Sequence, residues 1–186
     1  MRSECGVQRM RELRVVDTNV LIVASAADDG SPFQPEATPV QEEALRQQVF
    51  AWLEAFEQDA NRHVVLDYDW KICGEYQNKL TEQDYGWLAM MRKKDQNEVV
   101  WVGLDMDADG HAILPAKLAP AVTDLADRKM VAAVLAAIEE TGETCKLTNA
   151  CDTDWLDCKA ALHEAGVQVE HLLEDWLLVK RANKHQ

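Results

Sequence analysis

The chain has 186 residues, 47% of them hydrophobic, which is enough for one domain with a substantial core and too short for two ordinary ones. Its 33 acidic and 19 basic residues give a formal net charge of -14, which argues against non-specific adhesion to nucleic acid or anionic membranes. Five cysteines without a C-x-x-C pair predict reduced thiols in a cytoplasmic protein. We find no apolar signal core or membrane-length apolar run, so we expect neither export nor membrane insertion.

The first predicted strand ends in short polar residues. Residues 1–12 are predicted to be a flexible lead-in, and residues 13–16 form an apolar strand that stops at Asp17-Thr18-Asn19. A helix then resumes at Val20. Asp17 would therefore lie at the carboxyl end of a strand, where open α/β sheets keep their ligand sites. The alternative is that Asp17 only caps the following helix.

The middle of the chain alternates helices with strands. Residues 28–39 are rich in Asp, Gly, Ser and Pro and predict a surface loop that can move. An amphipathic helix is predicted for residues 40–58, a strand for 63–66, and a helix for 68–80 that carries Glu75 inside it. A further helix over 84–94 ends in Arg92-Lys93-Lys94, which suits either a solvated helix end or a phosphate contact.

The second half of the chain continues the pattern. Residues 98–104 give the strongest strand signal, and the polar turn after them predicts a hairpin over 99–114. A helix is expected from Thr123 or Asp124 to Gly142, with Asp127 in its first turn. A strand over 144–148, a helix over 154–164, a strand over 167–170 and an apolar segment over 172–179 follow. Residues 13–180 form the predicted domain, and 181–186 a basic tail.

This order of elements predicts the α/β fold class. A mainly parallel central sheet with helices on both faces would make a single-domain three-layer α/β/α sandwich with an inserted β-hairpin. The apolar segment over residues 172–179 either covers the protein's own core or serves as the interface of a homodimer.

Four acids would share one edge of this sheet. Asp17, Glu75, Asp127 and Asp152 each follow a strand or lie early in a helix on its carboxyl side. Two such charges repel by roughly 4 kcal/mol at ~4 Å and an effective dielectric of ~20. A cation is needed to neutralise such a cluster, and oxygen ligands without paired His or Cys select Mg²⁺ or Mn²⁺.

At these residues the sequence resembles the PIN-domain nucleases, which include the toxin ribonucleases of bacterial toxin-antitoxin pairs. The matching stretches are Val15-Val16-Asp17-Thr18-Asn19-Val20-Leu21, Gly74-Glu75-Tyr76, Asp127-Arg128-Lys129-Met130-Val131-Ala132-Ala133, and Leu147-Thr148-Asn149 followed by Asp152-Thr153-Asp154-Trp155. The resemblance implies that Asp17, Glu75, Asp127 and Asp152 hold Mg²⁺ or Mn²⁺ for phosphodiester hydrolysis. It also implies that Asn19 braces the first turn and that Thr148 is a hydroxyl partner of the site.

The sequence departs from the family after Thr148. Asn149-Ala150-Cys151 separate that threonine from the next acid, so Asp152 and Asp154 compete for the role of fourth ligand. The resemblance implies Asp152 as this ligand and Asp154 as an auxiliary acid. The implied substrate is RNA, or DNA, and an antitoxin or another regulatory protein is the implied partner. Arg128, Lys129, Lys93 and Lys94 are the predicted phosphate contacts, and Trp70 or Trp155 the predicted base-stacking platforms.

Two other functions compete with the nuclease. The stretch Val64-Val65-Leu66-Asp67-Tyr68-Asp69 resembles the D-x-D motif of haloacid-dehalogenase-like phosphatases, with Asp67 as the nucleophile, but Lys71 stands where that family has Thr or Val. The second alternative is a PIN-like scaffold that binds RNA or a partner without cutting it. An assay of RNA and DNA cleavage with Mn²⁺, beside a phosphomonoester assay, separates the three.

Overall fold

Five parallel strands form one sheet in the order β3-β2-β1-β4-β5. The computed structural model describes residues 10–185, and its strands are β1 (Glu12–Val16), β2 (Arg62–Asp67), β3 (Val99–Val102), β4 (Cys145–Asn149) and β5 (Gln168–His171). Leu13, Val15 and Val16 of β1 are fully buried, as expected for a central strand covered on both faces. Most of the predicted lead-in, residues 1–9, lies outside the described residues, and β1 already begins at Glu12.

Helices flank the sheet and confirm the predicted α/β class with its three-layer arrangement. They are α1 (Thr18–Ala27), α2 (Glu43–Gln58), α3 (Lys71–Lys79), α4 (Tyr85–Asp95), α5 (Arg128–Thr141), α6 (Asp154–Asp157), α7 (Lys159–Glu164) and α8 (Glu174–Lys184), with a short 3₁₀ turn at Pro35–Ala37. α1 packs on α2 and α4, whereas α5 crosses β1 to β4. Within residues 10–185 no helix combines the length and apolarity needed to span a bilayer.

The chain reverses its direction across the sheet between β1 and β4. From β1 it runs outward through β2 to β3, and after α5 it returns to the other side of β1 to form β4 and then β5. β1 and β4 are joined in parallel with Val16 beside Thr148, and Asp17 N donates to Thr148 O at 3.0 Å. This is the topological switch point, where the connections after neighbouring strands separate and leave a crevice.

The predicted hairpin of residues 99–114 is smaller than expected. β3 is an outer strand of the parallel sheet and sets Val102 beside Asp67 of β2. The antiparallel part that follows is a single bridge between Met106 and Ala112, closed by a turn in which Gly110 has a φ of 83°. The strong strand signal thus belongs to the sheet, and the Asp-Gly turn to a local loop.

Two predicted boundaries were wrong. α5 begins at Arg128, later than Thr123 or Asp124, so Asp127 stands just before the helix and not in its first turn. The predicted helix over 154–164 is broken at Cys158, whose φ of -97° and ψ of 6° separate α6 from α7. These changes matter because they decide how Asp127 and Asp154 approach the sheet edge.

The last helix covers part of the core and absorbs most of the predicted basic tail. Leu177 of α8 is fully buried, whereas Leu178 and Val179 are 49% and 62% exposed. Arg181 Nε donates to Asp157 Oδ1 at 2.6 Å, so the basic end of α8 lies on the acidic residues of α6. The apolar segment therefore covers the protein's own core with one side and presents apolar residues on the other.

The loop over residues 28–39, predicted to be a surface loop that can move, is hydrogen-bonded to the turn between α3 and α4. Asp84 is buried, and its carboxylate accepts hydrogen bonds from the hydroxyl of Ser31 and from Phe33 N, the latter at 3.0 Å. The same carboxylate accepts from Thr81 N at 2.7 Å. A single acid thereby fastens the loop to the turn between α3 and α4.

Candidate metal centre

Asp17 is both a helix cap and a buried acid. Its Oδ1 accepts a hydrogen bond from Asn19 N at 3.1 Å, and its Oδ2 accepts one from the indole Nε1 of Trp155 at 2.7 Å. Burial raises the pKa of Asp17 to about 7, against the lowering effect of these two bonds, and the charges of Asp152 and Glu75 add to the rise. The alternative interpretation as a cap is thus correct but incomplete.

Asp127 ends the loop before α5, and the negative charges of the other acids act on its carboxylate. The pKa of its carboxyl is raised to about 8. Burial is the largest cause, and the charges of Asp17, Asp124, Asp152 and Glu75 add to it. No side-chain or backbone donor within the described residues bonds to its carboxylate. Four strand-end or helix-start acids therefore lie in one electrostatic neighbourhood, as the sequence predicted.

Asp152 and Asp154 can be told apart by their surroundings. Burial raises the pKa of Asp152, and its Oδ1 accepts a hydrogen bond from Asp154 N at 2.9 Å. The side chain of Asp154 is 50% exposed and pairs with Lys184 Nζ at 3.0 Å. The geometry therefore favours Asp152 as the fourth acid of the site, with Asp154 at its rim.

Glu75 reaches the site from α3 and is already paired. Its Oε1 accepts the hydroxyl of Thr18, and its Oε2 forms a salt bridge with Lys129 Nζ. The side chains of Glu75 and Lys129 are 23% and 13% exposed, so this pair is largely shielded from water. Lys129 thus lies inside the acidic site, where it balances one of the four negative charges.

Asn19 braces the junction between β1 and β4. Its Oδ1 accepts from Ala150 N at 2.8 Å, and its Nδ2 donates to Asn149 Oδ1 at 3.0 Å. Asn149 in turn accepts from Asp152 N at 3.1 Å and donates to Asp152 O at 2.9 Å. Asn149 was not predicted as a bracing residue, although an amide at a strand end was a usable signal.

Thr148 does not face the acids, contrary to the sequence prediction. It is fully buried, and its hydroxyl donates to Glu170 Oε2 at 3.2 Å, across the pairing of β4 with β5. The same carboxylate oxygen accepts from Arg14 Nε at 3.0 Å. Thr148 therefore supports the sheet and leaves the carboxylates to other partners.

One of the four predicted phosphate contacts, Lys93, is wrong. Lys93 is fully buried, and its ammonium donates to Asp59 O, Arg62 O and Glu98 Oε2 at 2.8, 2.8 and 2.6 Å. Lys94 lies beside it at the end of α4, next to the start of β3, on the edge of the sheet opposite the acids. Both lysines therefore belong to the amino edge.

Arg128 is used to shape a loop. Its guanidinium donates to Val122 O at 3.2 Å and to Ala119 O at 2.9 Å, which folds the segment before α5 against the helix start. This leaves Lys129 as the predicted cation that the structure does bring to the acids. Sequence position alone could not separate Arg128 from Lys129, because neighbouring residues on a helix point in different directions.

Asp124 is a further member of the acidic group and was not predicted from the sequence. Its charge raises the pKa of both Asp127 and Asp152. Asp124 and Asp127 together line two cavities, one of about 460 Å³ beside α6 and one of about 740 Å³ beside α3. Its position three residues before Asp127, in a loop, gave only a weak signal.

The phosphatase alternative depends on Asp67, which is used as a helix cap. The carboxylate is buried, and its two oxygens accept from Lys71 N at 2.9 Å and from Ile72 N at 2.8 Å. Asp69 is exposed and lines the larger cavity. A carboxylate that is bonded to the helix through both oxygens is poorly placed to attack a phosphorus atom.

The donor set fits a hard divalent cation, but its side chains are not arranged around a common point in this structure. All the acids offer oxygen, the donor that Mg²⁺ and Mn²⁺ prefer. Within residues 10–185, no three His, Cys, Asp or Glu side chains already stand in a metal-holding arrangement. Glu75 is instead paired with Lys129, and Asp17 with Trp155. A cation would have to draw these carboxylates together by side-chain rotation.

No protein-family model matches the chain, and no curated protein or solved structure is significantly similar to it. Its function is therefore inferred from the fold and from the carboxylates themselves.

Proposed function

We propose that the chain is a metal-dependent nuclease that hydrolyses phosphodiester bonds, most readily those of RNA. The observation that supports this is the convergence of Asp17, Glu75, Asp127 and Asp152 at the β1–β4 switch point. Carboxylates that repel one another in a half-buried crevice make a strong site for a hard cation. When bound, Mg²⁺ or Mn²⁺ would supply a water of lowered pKa and stabilise charge on the phosphoryl oxygens.

The protein's own residues would prepare the site in three ways. The indole of Trp155 fixes the direction of the Asp17 carboxylate, because its N–H bond holds Oδ2. Asn19 fixes the β4 turn that presents Asp152. The ammonium of Lys129, held by Glu75, brings a positive charge to the place where a phosphodiester would approach the acids.

The resemblance to toxin-type ribonucleases extends this proposal to partners and location. A toxin would be held inactive by an antitoxin in the cytoplasm. The four cysteines of the described residues, Cys73, Cys145, Cys151 and Cys158, are buried free thiols, which supports a reducing compartment. Leu178 and Val179 on α8 are the exposed apolar residues that a regulatory protein or a second copy would cover.

A cleavage assay tests the nuclease directly. End-labelled single-stranded RNA and DNA are incubated with Mn²⁺ and the wild type, Asp17→Asn, Asp127→Asn or the control Asp95→Asn. Asp95 ends α4 on the opposite edge and its side chain is 73% exposed. We expect cleavage by wild type and control, and a loss of at least about a hundredfold in the two site variants.

The same assay separates the alternatives. A phosphatase would hydrolyse a phosphomonoester and lose that activity in Asp67→Asn, without cutting RNA. A scaffold would bind RNA and leave it intact under every condition. If both Asp17→Asn and Asp127→Asn still cleave and their circular dichroism is unchanged, these acids do not take part in cleavage.

A further inference from the structure

A cavity beside α3 has several of the acids in its lining, and we call it the α3 groove. Its volume is about 740 Å³. One wall is the α3 face formed by Lys71, Gly74, Glu75 and Asn78, which recur at helical spacing. The loop around Gly110 and residues 124–127 also line it, so both Glu75 and Asp127 belong to the groove.

One ring of this groove begins a stacked series of three aromatic rings, which we call the aromatic ladder. Trp70 lines the groove, and its ring centroid lies 6.2 Å from that of Trp101, with 21° between the planes. Trp101 stacks in turn on Tyr68 at 6.3 Å and 22°. Tyr68 is 69% exposed, which is unusual for a large aromatic side chain that only fills space.

The backbone holds Trp70 in this place. Its φ of 61° and ψ of 26° are left-handed, a conformation that bulky residues rarely adopt. The residue comes directly before α3, whose first turn is capped by Asp67. This backbone conformation sets where the Trp70 side chain leaves the chain before α3. Trp155, the other predicted platform, is 1% exposed and bonded to Asp17.

The α3 groove also carries unpaired positive charge. Lys71 and Lys79 are exposed and line it, and neither forms a salt bridge within the described part of the chain. The lining also holds four acids, Asp69, Glu75, Asp124 and Asp127. In a chain of net charge -14, the phosphates of a polyanion would therefore have to meet these two lysines. Rings for stacking and lysines for phosphates are the two parts of a single-strand binding surface.

We propose that the α3 groove binds a single-stranded polynucleotide, with a base stacked on the aromatic ladder and the neighbouring phosphates against Lys71 and Lys79. This rests on the proposed nuclease function, because the strand would run from the ladder to the acids at Glu75 and Asp127. The bases of a duplex already stack on one another, and only an unpaired base can offer its face to Trp70. The ladder would therefore make the enzyme selective for unpaired nucleotides.

Binding is measured with fluorescently labelled 12-mers by anisotropy in EDTA, so that no cleavage interferes. Oligo-uridine, oligo-thymidine, an abasic 12-mer of equal charge and a 12-base-pair duplex are compared. The variants are Tyr68→Ala, Trp70→Ala, Trp70→Phe and the double variant of Lys71→Gln with Lys79→Gln. Lys117→Gln, an exposed lysine outside the α3 groove, is the matched control.

The wild type should bind the base-carrying strands about tenfold more tightly than the abasic strand. The duplex should have the lowest affinity of the four ligands. Trp70→Ala should abolish that preference, Trp70→Phe should restore most of it, and Tyr68→Ala should reduce it with little effect on folding. The lysine variant should weaken base-carrying and abasic strands alike and flatten the salt dependence, whereas Lys117→Gln should match the wild type. A difference in affinity between oligo-uridine and oligo-thymidine would show whether the groove prefers RNA or DNA.

Several results would overturn the inference while leaving the nuclease untouched. If the wild type binds the base-carrying and abasic strands equally well, no base stacks on the aromatic ladder. Unchanged affinities in the ring variants would lead to the same conclusion, even if Mn²⁺-dependent cleavage continues. Conversely, ladder-dependent binding without any cleavage would support the groove and contradict the proposed nuclease.

Discussion

Trp155 donates its indole N–H to Asp17 Oδ2 at 2.7 Å, and both side chains are buried. The bond links the residue after β1 to α6, which begins shortly after β4, so it ties the two halves of the sheet at the switch point. It also favours the charged form of Asp17, against the effect of burial. This one contact therefore couples the fold to the ionisation of the site.

Trp155→Phe should destabilise the protein more at pH 8.5 than at pH 5. The phenyl ring keeps most of the packing but cannot donate, so the pKa of Asp17 should rise further above about 7. Losing a bond to a carboxylate costs roughly 1.5–3 kcal/mol of unfolding free energy, and losing one to the neutral acid roughly 0.5–1.5 kcal/mol. Urea unfolding at the two pH values measures the difference; a loss that is the same at both would mean that Asp17 is not ionised by pH 8.5.

Without metal, stability should fall as the pH rises from about 4 to about 8. The pKa of Asp17 is raised to about 7 and that of Asp127 to about 8, so in this window the folded protein keeps protons that the unfolded chain has released. Because the acids interact, their separate pKa shifts do not add. We expect the free energy of unfolding to fall by roughly 2–5 kcal/mol in total. Thermal unfolding in EDTA across this range measures it.

Asp127→Asn should make that pH dependence shallower and raise the melting temperature in EDTA at pH 8. Its carboxylate accepts no hydrogen bond from the described residues, so the amide removes repulsion without breaking a bond. Asp17→Asn is a less clean test, because an amide cannot accept from both Trp155 and Asn19. A lower melting temperature in Asp127→Asn would show that its charge supports the fold.

Much of the acidic edge could be predicted from the sequence, because it depends on local order. Asp17 follows a strand, Asp127 precedes a helix and Asp152 follows another strand, so a parallel sheet must bring them to one edge. The relation between Asp124 and these acids could not be predicted, because it depends on the path of an irregular loop. The predicted metal-holding role of the acids stays a prediction.

The cations were poorly predicted for a physical reason. Long side chains can reach many partners, and only the tertiary structure decides which one they meet. Lys93 meets backbone carbonyls at the amino edge, whereas Lys129 meets Glu75 among the acids. The hairpin was overestimated for a similar reason, since β3 finds its partner in β2, far from it in sequence.

Lys129→Gln should increase the affinity for Mn²⁺ by about fivefold. The ammonium neutralises Glu75 and competes with a cation for that carboxylate. A partly shielded salt bridge is worth up to about 1 kcal/mol, which corresponds to that factor. Lys117→Gln, at an exposed lysine outside the α3 groove, is the control and should leave the affinity unchanged. A weaker affinity in Lys129→Gln would mean that the lysine holds the acids in their cation-binding arrangement.

Gly86→Ala should destabilise the protein by roughly 1–3 kcal/mol. A Cβ at Gly86 would lie 2.6 Å from the backbone oxygen of Leu21, where α4 crosses α1 at close range. At Gly74 the added carbon meets no atom within 4 Å beyond its own stretch of helix backbone, and alanine should stabilise α3 by roughly 0.5–1 kcal/mol. Urea midpoints of the two variants check this; equal effects would contradict the close approach of the helices.

The central claim, that the carboxylates at the switch point form a metal centre, is tested most directly by calorimetric titration of Mn²⁺ at pH 8. Wild type and Asp95→Asn should show saturable binding, and Asp127→Asn should bind at least about tenfold more weakly. At a hundredfold excess over the dissociation constant, Mn²⁺ should also stabilise the wild type by about 2.7 kcal/mol. Absence of binding to the wild type, or equal affinity in all three proteins, would contradict the metal centre and the nuclease proposed from it.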